Sequence, residues 1–272
     1  MNKNINENEN WELFINKAKE FNINLTGKQV EQFKEYWRFL YEYNKHTNLV
    51  SSAELNIVLS KHFADSLSIG LLENELVLNS QKTILDIGIG GGFPGVPIII
   101  AYPQLKLCAV DSVGKKTEFL SQLSQKIEIT DRIEIINSRV EDFAERVAKN
   151  AGGVAKNEGG VAKNAGGIAK NATPKGSFDI AVSRAVSRLN VLLEYTLPFI
   201  KVGGFFVAYK ARTFQEEIGE AKQALAILGG EVIKTANYTL SDEERNLILI
   251  KKTKPTPAKY PRKTGIPAKN PL

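Results

Sequence analysis

The run Thr83-Ile-Leu-Asp-Ile-Gly-Ile-Gly-Gly-Gly-Phe-Pro-Gly95 sets a carboxylate, Asp86, just ahead of four glycines, Gly88, Gly90, Gly91 and Gly92. An apolar stretch that breaks into glycines and resumes as the helix-like Val96–Ala101 reads as a buried strand turning sharply into a helix. Such a turn presents bare backbone N–H groups at a helix N-terminus, which suits a nucleotide-like ligand. Three further apolar runs end in residues fit to complete that site. Asp111-Ser112 follows the turn at about the spacing where a carboxylate accepts both hydroxyls of a ribose. In Asn137-Ser-Arg-Val-Glu-Asp142 a backbone group and a side chain can frame an adenine edge. Ser183-Arg184-Ala185 closes a fourth run, with its arginine facing whatever docks on the bound ligand. Taken alone, Glu141 and Asp142 could be helix N-terminal charges and Arg184 a surface ion pair. Their joint placement at successive strand ends is the stronger argument.

The glycine turn by itself is generic. Gly90-x-Gly92-x-x-Gly95 matches the dinucleotide fingerprint by letter. Pro94, however, removes an N–H that a pyrophosphate site would use, and no Tyr-Lys or His-acid pair stands out as a hydride relay. Asp86 is placed to meet a cationic or amine-bearing ligand. Gly114-Lys-Lys-Thr117 lacks the preceding glycine of a phosphate-binding loop.

The elements that must hold these residues alternate strand and helix. Strands are expected at 82–87, 105–111, 132–137, 178–183, 204–209, 231–238 and 245–252, and helices at 94–101, 114–127, 189–197 and 213–228. Only Ser241-Asp-Glu-Glu244 joins the last two strands, so they must form an antiparallel hairpin. Five parallel strands and a terminal hairpin make a seven-stranded, doubly wound α/β sheet over 81–253. Residues 1–80 read as a helical appendage. Thr26 with Gln29 forms a capping box, Leu25 with Val30 a staple. Val30, Phe33, Trp37, Leu40 and Tyr41 then form an apolar stripe that belongs to a core. His62 and Asp65, three apart, fit helix packing or a buried hydrogen bond and stay outside the expected site. Residues 147–172 repeat Val147-Ala-Lys-Asn-Ala-Gly-Gly153 with a period of seven. Gly-Gly in each unit excludes a coiled coil and leaves a flexible insertion in a surface loop.

Composition narrows the class. The chain has 272 residues and a single cysteine, Cys108, so no internal disulfide is possible. The two histidines offer no metal-ligand spacing. The start is polar and no run could span a bilayer, so a cytoplasmic protein, expected to be a monomer, follows. Of 36 basic residues, seven lie in 251–272, where no acidic residue occurs, leaving 29 basic against 30 acidic elsewhere. Residues 254–272 hold five of the ten prolines, which favours an extended polyproline-like arm. Lys254, Lys259, Arg262, Lys263 and Lys269 on such an arm could bind a phosphate backbone, with Tyr260 stacking a base.

The turn Asp86–Gly95 resembles that of the bacterial small-subunit ribosomal RNA guanine-N7 methyltransferases, the glucose-inhibited division protein B family. The likeness continues in Tyr43-Asn-Lys-His-Thr-Asn-Leu49, Lys61-His-Phe-Ala-Asp-Ser-Leu67, Asp111-Ser-Val-Gly-Lys-Lys116, Ser138-Arg-Val-Glu141, Ser183-Arg-Ala185 and Lys254–Arg262. It departs at the heptapeptide repeats, where that family has a short loop, and at Gly91, where proline or alanine is also common. The resemblance implies S-adenosylmethionine as cofactor, 16S rRNA or the small ribosomal subunit as partner, and no metal. It implies cofactor contacts at Gly88, Phe93, Val140, Glu141 and Arg184, with Asp111 near the ribose. Gly90 and Ser112 complete the expected set.

A guanine N7 carries an in-plane lone pair and needs no deprotonation to attack a methyl, which fits a sequence without an acid–base relay. Two rival functions share these features: a nicotinamide-dependent oxidoreductase and a non-catalytic RNA-binding module. Nicotinamide titration against S-adenosylhomocysteine separates the first. Cofactor binding without methyl transfer would mark the second.

Overall fold

Parallel strands buried on both faces must be apolar almost throughout, and this requirement shapes the sheet. The computed structural model describes residues 6–143, 176–184, 187–211 and 214–272; the heptapeptide repeats lie outside them. The strands are β1 (Thr83–Ile87), β2 (Lys106–Asp111), β3 (Ile133–Asn137), β4 (Phe178–Arg184), β5 (Ile200–Lys210), β6 (Gly230–Leu240) and β7 (Glu243–Lys252). They form one sheet in the order β3-β2-β1-β4-β5-β7-β6. β1 to β5 pair in parallel, whereas β7 runs antiparallel to both β5 and β6. The expected hairpin is present, with its second strand lying inside its first. The strand order reverses between β1 and β4, where a doubly wound sheet opens its ligand crevice.

Alternate residues of each strand feed two cores. Ile84, Leu107, Ala109, Ile180 and Val182 face one layer, with α1 (Glu7–Glu20), α2 (Gly27–Thr47), α6 (Gly95–Ala101) and α7 (Gly114–Lys126). Leu85, Cys108, Val110, Ala181 and Phe206 face the other, with α8 (Leu189–Thr196), α9 (Phe214–Glu220) and α10 (Lys222–Leu228). The helix expected over 213–228 is therefore two, broken at Ala221. The N-terminal helices are continuous with the sheet's core. Phe33, Tyr36, Phe63, Phe93 and Phe119 form one aromatic cluster across the boundary at residue 80. Thr26 caps α2 with the expected box. Residues 55–76 run on through α3 (Leu55–Ile57), a π-helical stretch (Val58–Ala64), α4 (Asp65–Leu67), a 3-10 stretch (Ser68–Leu72) and α5 (Glu73–Leu76). π-helical turns are often found at functional sites, and this one carries Lys61 and His62.

The segment after β7 departs from expectation. It is not an extended arm but packs back on the body, with Tyr260 and Pro267 buried. It ends in a short helix, α11 (Ile266–Lys269), against α8.

Candidate functional site

The glycine turn is held from three sides. Gly88, Gly90 and Gly92 all have positive φ, a backbone state in which glycine alone is unstrained. From β2, Asp111 accepts the Gly90 N–H at 2.9 Å and the Val113 N–H at 3.0 Å. From β1, the fully buried Asp86 accepts the Gly95 N–H at 2.8 Å through Oδ2, while its Oδ1 has no partner. Burial raises the Asp86 carboxyl from 3.8 to about 7, against the Gly95 N–H and Arg184. From α2, the Tyr36 hydroxyl donates to the Gly91 carbonyl. A Cβ on Gly92 would collide with that hydroxyl, so turn and helix fit only through glycine.

Beside the turn opens a cavity of about 530 Å³, bounded by the ends of β1, β2, β3 and β4. Six expected residues line it: Gly88, Asp111, Ser112, Val140, Glu141 and Arg184. Two do not. Gly90 is engaged with Asp111, and Phe93 lies beneath the site. The Phe93 ring stacks on Tyr36 at 5.4 Å and on His62 at 4.8 Å, and the Arg184 guanidinium sits 5.2 Å above it. Glu141 accepts from the Tyr195 hydroxyl at 3.2 Å and the Gly265 N–H at 3.1 Å. Burial and the neighbouring Glu141 carboxylate raise the Tyr195 phenol to about 12, so it stays a donor.

Arg184 closes the cavity and is fixed by residues expected to lie elsewhere. Its guanidinium donates to Asp65 Oδ2 at 2.9 Å and to the Lys61 carbonyl at 3.0 Å, and lies 3.0 Å from His62 Nδ1. Arg184 cannot lose its proton, so His62 Nδ1 accepts, and the imidazole is neutral with its proton on Nε2. Burial first, then Arg184, Arg245 and Lys61, drives its pKa from 6.5 to about 3. Asp65 also accepts from the Tyr238 hydroxyl at 2.7 Å. His62 and Asp65 thus belong to the site that the sequence reading left without them. The signal for it was their i, i+3 spacing inside a block so specific to the family resembled.

Arg184 also borders a second cavity of about 400 Å³, shared with Asp65, Arg188, Tyr209, Lys210, Tyr238 and Arg245. Three further cations and two phenols surround this space. Lys210 is tied to Glu217 at 2.6 Å, and the 74 % exposed Arg188 lies 3.8 Å from Glu220.

The five expected RNA contacts divide. Lys254, Lys259, Lys263 and Lys269 are exposed. Arg262 is not an outward contact. Its guanidinium forms a forked pair with Glu194, with bonds of 2.6 to 3.1 Å, and its N–H donates to the same carboxylate at 2.7 Å. Glu194 sits on the buried face of α8, where a carboxylate without a cation would be costly. Among the described residues no group of three or more His, Cys, Asp or Glu could hold a metal, and no helix is long and apolar enough to cross a membrane.

Comparison with known proteins gives the family. The family described as "GidB: rRNA small subunit methyltransferase G" matches residues 29–152 and 163–248. Three relatives are each named "Ribosomal RNA small subunit methyltransferase G". That of Lactococcus lactis subsp. lactis is 39% identical over 260 residues, covering 95% of this chain and 98% of the relative. That of Lactobacillus acidophilus is 38% identical, covering 97% and 99%. That of Limosilactobacillus reuteri is 40% identical over 271 residues, again covering 97% and 99%.

Proposed function

Since the chain belongs to the family of rRNA small subunit methyltransferase G, we propose that it transfers the methyl group of S-adenosylmethionine to N7 of a guanine in 16S rRNA. The observation that carries the reading is the shared wall. Arg184 borders both the cavity beside the glycine turn and the basic, phenol-lined cavity next to it. Two ligands would then meet across one side chain.

The residues present fit the cofactor. Gly88, at φ 73, offers bare backbone to the cavity, Asp111 and Glu141 supply acceptors at the ribose and adenine ends, and Val140 gives an apolar wall. Asp86 is fully buried behind the turn and does not line the cavity, so it steadies the turn through Gly95 rather than meeting the ligand. When bound, S-adenosylmethionine supplies an electrophilic methyl group.

The chain's own part is alignment rather than proton transfer. Guanine N7 attacks through a lone pair already in the ring plane, so the site requires no base. The rate then comes from holding the purine in line and excluding water, and effective molarities for such alignment are large. Arg184 is locked by Asp65, His62 and the Lys61 carbonyl, and so presents a fixed edge to both ligands. Arg188, Lys210 and Arg245 make the second cavity attractive to nucleotide phosphate. Exposed Lys254, Lys259, Lys263 and Lys269 extend the positive surface. Among the described residues no hydride relay faces the cavity, and the family is one of methyltransferases rather than oxidoreductases.

The test is to map N7-methylguanine in 16S rRNA from cells with and without this protein. One guanine should lose its methyl in the deletion and regain it on complementation. An unchanged map rules the reading out.

A further inference from the structure

We propose that the segment Thr264–Lys269 is a strap that forms the outer wall of the cofactor cavity and sets its affinity for the adenosyl ligand. The inference rests on the methyltransferase reading above. From composition this segment reads as an arm for RNA; its place in the fold is different. Gly265 and Ala268 line the cavity opposite Gly88 and Asp111, on the side formed by Val140, Glu141 and Tyr195.

The strap is anchored on both sides of its lining residues. Before them, Tyr260 is buried in the layer under α8, and the Arg262–Glu194 pair fixes the chain where it leaves that layer. Within the strap, the Thr264 hydroxyl donates to Asp142 at 3.0 Å and the Gly265 N–H donates to Glu141 at 3.1 Å. Pro267, between the lining residues, is buried, and Leu272, after them, packs against the same core layer as Tyr260. Gly265 takes φ +81 at the start of α11, a conformation that turns its N–H toward Glu141 without strain.

Glu141 joins the strap to the cavity. The Tyr195 hydroxyl and the Gly265 N–H both end on its Oε1. The strap therefore orients the carboxylate placed at the adenine end of the site, and neither bond engages the other oxygen. A wall and an acceptor ordered before the ligand arrives spare the cost of ordering them on binding. Removing the strap should open the cavity to solvent and release Glu141, while leaving the glycine turn and Arg184 as they are.

The experiment measures S-adenosylhomocysteine binding by titration calorimetry, and melting, for the full chain and two variants. One variant lacks Thr264–Leu272 but keeps Arg262, so Glu194 remains paired. The other is Ala268→Trp, which fills the cavity mouth from an exposed position. Each should raise Kd by about tenfold or more, with the melting temperature of Ala268→Trp unchanged. Kd values within about threefold of the parent in both, or in Ala268→Trp alone should the truncation fail to fold, overturn the strap. If the parent itself binds no S-adenosylhomocysteine, the methyltransferase reading falls, and the strap with it.

Discussion

Arg184 and Asp65, 119 residues apart in sequence, meet at 2.9 Å across the rim of the sheet. The carboxylate is 2 % exposed and the guanidinium 14 %. Removing one partner of so buried a pair strands the other charge. Asp65→Ala should therefore lose about 3–5 kcal/mol of stability, measured by urea unfolding. Tyr238 loses its acceptor in the same variant.

Removing Arg184 strands Asp65 in turn, so its effect on function is to be read on protein shown to be folded. Arg184→Ala is expected to lower methyl transfer to small-subunit rRNA at least tenfold, about 1.4 kcal/mol of barrier. Arg184→Lys should not restore it. A single ammonium cannot reach the Asp65 carboxylate, the Lys61 carbonyl and the His62 ring together. A tritiated-methyl assay within about threefold of the parent for Arg184→Ala, roughly 0.6 kcal/mol, would remove the residue from the site.

Much of this site was legible because its parts sit at consecutive strand ends. A buried apolar run must be a strand, and whatever follows it falls on one rim. That logic brings the glycine turn, Asp111, the run 137–142 and Arg184 to one cavity without knowledge of packing, while Val140 and Glu141 within that run are singled out by the family resemblance. It cannot find Tyr36, His62 or Asp65, because they arrive from helices whose docking no local pattern encodes. The tail misleads for a physical reason. Proline and lysine describe the unfolded preference of 254–272, while its folded place is decided by a partner far upstream. That partner left a trace: Glu194 is the one charge in the apolar helix Leu189–Thr196, and a carboxylate there requires a cation.

Arg262 and its lysine neighbours should accordingly separate. Arg262→Ala leaves Glu194 buried alone and is expected to lower stability by about 3–5 kcal/mol. Lys263→Ala with Lys269→Ala should leave melting unchanged and reduce the salt dependence of RNA binding by about one unit of slope per lysine. Filter binding across a salt series checks this. An unchanged slope would place the RNA elsewhere.

Two buried groups give opposite dependences on pH. His62, held down to about 3 from 6.5, refuses a proton that the unfolded chain accepts. Stability therefore falls as the pH drops from about 6.5 toward 3, and His62→Gln should flatten that slope. Asp86 is raised from 3.8 to about 7, so the folded state keeps a proton that the unfolded chain releases. Its contribution is fully present below about pH 4 and is lost as the pH rises to 7. Asp86→Asn should flatten the curve there. Unfolding free energies from pH 4 to 8 distinguish the two.

Among the glycines, Gly92→Ala should be worse than Gly90→Ala. Both have positive φ, costing roughly 1–3 kcal/mol for a side chain. Only Gly92 meets Tyr36, adding an overpacking cost of about 1–3 kcal/mol; a Cβ on Gly90 would meet only the Gly88 carbonyl oxygen, at 3.9 Å. Equal melting temperatures would mean that Tyr36 yields readily.

The wall contributed by Gly265 and Ala268 also orders events during synthesis. β1 to β4 can leave the ribosome, pair and bury their faces well before residues 265–268 exist. A nascent chain then passes through a stage in which the four strands at the ligand rim can pair but its ligand chamber still lacks a side. Becoming folded and becoming able to retain a small molecule are separate moments in the life of this polypeptide.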